Sequence, residues 1–255
     1  MITTIIGHIL AVAIGMTLGL IGGGGSVLAV PTLIYVMGIS SKEAITMTLI
    51  IVGIVSLIGI IPHWRQGNVN LKIATVFIPP AMLGTYLGAT LALLPFISDT
   101  FQLICFGIIM LLASILMIGK GSSKEEKNKI IEPKKNKYQW LVIPAEGLGV
   151  GIVTGFVGVG GGFAIIPALV LIGGIPMKEA IGTSLLIIAF NSVTGVIKYL
   201  SQVSIDWNLT ISFTLAATIG TVSGAYLSRV IQAKELQKVF GYFVLAVAVF
   251  VLIRR

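Results

Sequence analysis

Eight apolar runs divide the chain, at about residues 2–37, 43–61, 71–94, 101–118, 140–172, 179–200, 208–231 and 235–253. Most are close to 20 residues, the length an α-helix needs to cross a hydrocarbon core of about 30 Å. None shows the ten-residue alternation of an outer-membrane barrel strand. The pattern predicts an all-α, polytopic membrane protein with about eight transmembrane helices. Two start signals flank the runs. Ser40-Ser41-Lys42-Glu43 fits a capping box, with Ser40 as N-cap and Glu43 at N3. Pro176 sits where a first-turn proline would open the run at 179.

Two runs are too long. Residues 2–37 as one helix would measure about 54 Å. Each long run contains a glycine cluster: GLIGGGGSVLAVP at 19–31 and GFVGVGGGFAIIP at 155–167. An offset of 136 residues lays one on the other. Gly22 meets Gly158, Gly24 meets Gly160, Gly25 meets Gly161, and Pro31 meets Pro167. The register continues without a gap. Lys42-Glu43-Ala44-Ile45 meets Lys178-Glu179-Ala180-Ile181, Ser56 meets Ser192, and Gly84 and Gly88 meet Gly220 and Gly224. The chain is therefore read as two homologous halves of four units, 1–119 and 138–255, joined by a basic linker at 120–137.

Glycine is the poorest helix former after proline, so the clusters split each long run into a long piece and a piece of about eleven residues. Two geometries fit. The chain crosses once as a broken, tilted helix, and the halves are parallel repeats. Or it turns back at the glycines as a re-entrant hairpin, and the halves are inverted. Loop charges are nearly balanced between the two, so the positive-inside rule does not choose. The short piece cannot span the core, which favours the hairpin and an inverted repeat.

Composition agrees with lipid as the solvent. The chain is 56% hydrophobic and 10% charged, against about 25% charged for a soluble domain. The first run has no lysine or arginine ahead of it and outlasts a signal peptide's apolar region, so it reads as mature chain in the cell membrane. Half of the net charge of +8 lies in KGSSKEEKNKIIEPKKNK, the linker. That is the signature of a cytoplasmic loop, and no nucleic-acid partner is expected. Cys105 has no partner in the chain, which excludes an intrachain disulfide.

No catalytic constellation stands out. There is no GxSxG or HExxH, and the two histidines, His8 and His63, form no cluster. The glycine stretches lack the Lys-Ser/Thr of a phosphate-binding loop. No enzyme, cofactor or metal is expected. Matching glycine-interrupted segments in two halves instead point to a transporter's midplane binding site. A broken helix in lipid must find partners for its freed backbone groups, and successive glycine N–H groups suit an anion.

The predicted solute-binding residues are Gly22, Gly23, Gly24, Gly25 and Ser26 in the first half, with Gly158, Gly160, Gly161 and Gly162 in the second. Gly162 stands in the place of Ser26, so the two sides differ. Thr48 and Ser184, repeat mates near the starts of the second units, and Asn191, deep in its unit, are added. Each has a structural alternative: hydroxyls that bond their own helix, and an amide that joins two helices. Glu146, inside an apolar run and opposite Leu10 in the repeat, is the candidate for coupling to a proton; sodium is the other candidate ion. Gly84xxxGly88 and Gly220xxxGly224 read as helix-packing positions.

GLIGGGGSVLAVP and GFVGVGGGFAIIP, each followed by a Lys-Glu-Ala-Ile helix start, resemble the duplicated signature of the sulfite exporter TauE/SafE family. The resemblance covers nearly the whole chain. It implies a membrane transporter for sulfite, sulfoacetate or another organosulfur anion. A passive anion channel and a non-transporting scaffold are the competing functions.

Overall fold

The computed structural model describes residues 2–95, 97–121, 139–158, 162–200 and 203–253, and every regular element among them is helical. Most of the basic linker lies outside the described residues, as do Gly160 and Gly161. The first half contains α1 (Ile2–Ile21), a tight turn at Gly23–Gly25, α2 (Ser26–Pro31), α3 (Ser41–Arg65), α4 (Leu71–Ala92) and α5 (Asp99–Gly121). The second contains α6 (Gln139–Val157), α7 (Gly162–Pro167), α8 (Met177–Tyr199), α9 (Trp207–Leu227) and α10 (Ala233–Ile253).

Among the described residues, α1, α3, α4, α5, α8, α9 and α10 are long and apolar enough to cross a membrane. The chain is a multi-pass membrane protein. Most of α3 and α8 is buried, and less than half of the other five. The outer helices turn large apolar side chains outward: Ile5, Leu83, Leu112, Leu215 and Ile219 are each more than half exposed. In water such a surface would aggregate; in a bilayer it faces lipid.

Local chemistry sets the element ends. Proline lacks an N–H and clashes with the carbonyl four residues back. Pro31 and Pro167 each end a short α-helical stretch in a widened π turn, at Thr32–Val36 and Ala168–Ile172. At the start of α3, Ser40 is the N-cap residue, but its side chain makes no capping bond. Pro176 is the N-cap of α8, one place ahead of the first turn. The sequence pattern ends the second run near 61, whereas α3 continues to Arg65 through Pro62 and His63, both buried. His63 meets Gly19 of α1 and lies beside Gly182 of α8, contacts that the local pattern does not contain.

Glycine seams fix the helix directions. A Cβ at Gly15 would strike the Ala217 backbone, and one at Gly19 the backbone of Thr221 and Ala225. Gly220 and Gly224 meet Val12, Met16 and Leu20 in return. Both numbers rise together, so α1 and α9 run parallel. In the same way Gly84 and Gly88 meet Leu148, Ile152 and Phe156, while Gly151 and Gly155 meet Ala81 and Thr85. Thus α4 and α6 run parallel too. The central pair does the opposite. Gly53 lies against Ser192, Gly195 against Leu49 and Gly182 beside His63, so α3 and α8 are antiparallel. Gly107 against Leu252 and Gly241 against Ile118 make α5 and α10 antiparallel as well.

Candidate functional site

At the end of α1 the chain turns at Gly22, with φ 74° and ψ −136°. An L-residue rarely adopts that conformation. Its repeat mate Gly158 has φ 75°. Past the turn, Gly25 lies against Ile14, Thr17 and Leu18 of α1, with no room for a Cβ. Further on, Met37 covers Gly7. The segment after the first turn therefore runs back along α1.

The two turns meet. A Cβ at Gly23 would overlap the backbone of Gly162, and a Cβ at Gly162 would overlap the backbone of Gly23. Only glycine on both sides permits this approach. Gly22 also faces α8, where a Cβ would lie 2.7 Å from Ser184 Oγ and 3.2 Å from Ile181 Cα. Gly158 faces Ile45 of α3.

Gly22 and Gly23 belong to the first turn and Gly158 and Gly162 to the second. Gly24 and Gly25 complete the tight turn before α2. Ser26 is fully buried, and its hydroxyl donates to Gly23 O at 2.7 Å. Ser184 donates to Ile181 O of its own helix at 2.8 Å, which is the structural alternative for that residue. Thr48 follows Ile45 by three residues and so lies on the face of α3 turned to Gly158. Its hydroxyl is buried with no partner.

Asn191 is two turns beyond Ser184, on the face of α8 turned to Gly22. It is 1% exposed, and neither its Oδ1 nor its Nδ2 has a partner. The hydroxyls of Ser56 and Ser192, repeat mates on the α3–α8 seam, are also buried and unpartnered. An unpaired buried amide or hydroxyl costs about 1–3 kcal/mol. Buried polar groups in native proteins are met by protein partners or ordered water.

Glu146 is not brought to the turns. It lies twelve residues before Gly158, roughly 18 Å along α6. Both its carboxylate oxygens are buried and unpartnered, and its neighbour Gly147 packs on Phe77 and Pro80 of α4. Among the described residues, no three His, Cys, Asp or Glu side chains gather to hold a metal.

Two further side chains touch the turns. His63 Nε2 lies 2.9 Å from Gly19 O. A carbonyl only accepts, so Nε2 carries the proton and donates. Tyr199 Oη donates to Gly155 O at 3.3 Å. The 136-residue offset relates His63 to Tyr199 and Gly19 to Gly155. The repeat register, applied at positions 63 and 199, is the signal that would have picked out this polar aromatic pair.

The sequence was compared with known proteins. The family model described as sulfite exporter TauE/SafE matches residues 8–251. A protein of Xylella fastidiosa (strain 9a5c) named probable membrane transporter protein is 31% identical over 249 residues, covering 94% of this chain and 92% of that one. The probable membrane transporter protein YunE of Bacillus subtilis (strain 168) is 27% identical over 250 residues, covering 89% of this chain and 91% of its own. No solved structure matches. With a family match that spans nearly all of its length, and with the glycine motifs inside that span, the chain belongs to the sulfite exporter TauE/SafE family.

Proposed function

We propose that the protein is a secondary transporter that moves a small anion, sulfite or an organosulfonate, by alternating access around the two glycine turns. The observation that carries this reading is the backbone contact between Gly23 and Gly162. Two chain breaks, one from each half, meet where a single unbroken helix would leave no free backbone groups. The N–H groups of Gly23 and Gly24 stand ahead of the turn's own i→i+3 bonds and have no acceptor in α1, so they are the ones offered to an anion. Gly24 completes the proposed backbone cradle, and Gly160 and Gly161, expected there from the sequence, lie outside the described residues. Ser26, Thr48, Ser184 and Asn191 supply neutral polar side chains beside it.

We infer an inverted repeat, with domains at 1–119 and 138–255. Repeat mates α3 and α8 run antiparallel, and so do α5 and α10. A two-fold axis that reverses its helices lies in the membrane plane, not along the normal. In this topology α1–α2 and α6–α7 are re-entrant hairpins that enter from opposite faces and meet tip to tip. Arg65, Lys72, Lys178, Arg229, Lys234 and Lys238 then share one face with the basic linker, which the positive-inside rule makes cytoplasmic.

The touching tips describe a closed pathway, so passage requires them to part. That favours a gated carrier over an open pore. Glu146, at a distance from the tips, is the proposed coupling group. The test is flux in proteoliposomes with labelled sulfite and small sulfonates. A carrier gives saturable uptake and counterflow. Single-channel currents without saturation would replace the reading with a channel, and no flux of any solute would leave a scaffold.

A further inference from the structure

The ends of α1 and α6 pose a problem that the glycines create. A helix leaves its last four carbonyls without intrahelical donors. In water these would be solvated, but here they are buried. Gly19 stands in the last turn of α1, which ends at Ile21, and Gly155 in the last turn of α6, which ends at Val157. Neither carbonyl is left to the solvent. His63 reaches Gly19 O from the last turn of α3, and Tyr199 reaches Gly155 O from the last residue of α8. The two side chains are 1% and 2% exposed.

We infer that His63 and Tyr199 are positioning residues that clasp the two glycine tips, each holding one hairpin to the central crossing helix of its own half. The inference rests on the transporter reading for its consequence but not for its geometry. Three observations carry it. The bonds join repeat-related donors to repeat-related acceptors. Both acceptors stand three residues before the glycine with positive φ, Gly22 and Gly158. Both donors lie in the last turn of α3 or α8, the two most buried crossing helices, so each clasp ties a tip to that central pair.

The donors are different groups doing one task. The imidazole Nε2–H and the phenol O–H each present a single proton at the end of an aromatic ring. They are not interchangeable in reach, because a phenol carries its O–H further from Cβ than an imidazole carries its Nε2–H. A donor of matched reach therefore gives a rescue that a general packing role would not. His63→Gln places an amide N–H close to where the imidazole Nε2–H stands. Tyr199→Phe keeps the ring and removes only the donor.

The experiment is amide hydrogen exchange on the purified full chain in detergent, followed by sulfite flux in proteoliposomes. Tyr199→Phe is expected to raise exchange about five- to tenfold in peptides containing Gly158 and Gly162, and not around Gly22. His63→Leu is expected to do the reverse. Tyr199→His, whose Nε2–H falls short of Gly155 O, should leave exchange raised there, and His63→Gln, which keeps an N–H donor of matching reach, should recover part of the loss. Flux half-saturation should follow the same order. Unchanged exchange at both tips, or a rise spread over the whole chain that His63→Gln does not reduce, would overturn the clasp. If the parent protein moves no sulfite while the exchange pattern holds, the transport reading fails and the clasp stands.

Discussion

At the first glycine turn a buried serine follows the break. At the second, Gly162 occupies the same place. The backbones are alike, with φ of 74° at Gly22 and 75° at Gly158. The surroundings are not. Gly22 faces a hydroxyl, Ser184, whereas Gly158 faces the aliphatic Ile45. Asn191, on the α8 face behind Gly22, has Val55 as its repeat mate on α3. A histidine clasps one tip and a tyrosine the other. The backbone conformation is thus alike at the two matched positions, and the side chains around them differ. Under the proposed reading, a solute at the tips would meet more polar groups on the side of the first turn.

The largest expected effect comes from exchanging the mates Ser26 and Gly162. Gly162→Ser would put a Cβ into the Gly23 backbone and should cut flux on the order of a hundredfold, since overpacking costs about 1–3 kcal/mol or more. Ser26→Gly loses one buried hydrogen bond and should cost about three- to tenfold. Equal losses in the two variants would show that the tips are not packed as described.

A second comparison exchanges the amide. Asn191→Val, copying Val55, removes an unpartnered buried group and should raise the unfolding midpoint while lowering flux about tenfold. Val55→Asn should lower the midpoint by adding such a group. An Asn191→Val protein that is less stable yet transports normally would assign Asn191 to helix joining instead.

The smallest effect is between the threonine mates on α9 and α4. Thr221 Oγ1 donates to Gly15 O at 2.9 Å, while Thr85 Oγ1 is buried without a partner. Thr221→Val should therefore destabilise the protein by about 0.5–1.5 kcal/mol, and Thr85→Val should be neutral or stabilising. Denaturation of the two variants side by side checks the sign.

Much of this was legible before any tertiary contact was known. The apolar runs locate the helices because a bilayer imposes their length. The elements α4 and α10, at 71–92 and 233–253, begin and end within a few residues of the pattern. The end of α3 was not legible, because Pro62, His63 and Arg65 look like the start of a loop, and the contacts of His63 with Gly19 and Gly182 are distant in the chain. Glu146 was singled out for its charge, and its distance from the turns is invisible in a linear pattern. Ser184 illustrates the same limit: nothing local tells whether a hydroxyl turns to its own backbone or to a visitor.

The sequence by itself determined the membrane class, the helical content, the two glycine interruptions and the offset that relates them. Each is a local property: apolar length, residue propensity, or repetition of letters. The tertiary structure alone decided that Gly23 meets Gly162, that α3 and α8 run antiparallel, and that His63 and Tyr199 reach the carbonyls of Gly19 and Gly155. These facts join residues 44 or more positions apart. They depend on which helix faces pack together, and glycine, having no side chain, carries no pattern that names its partner.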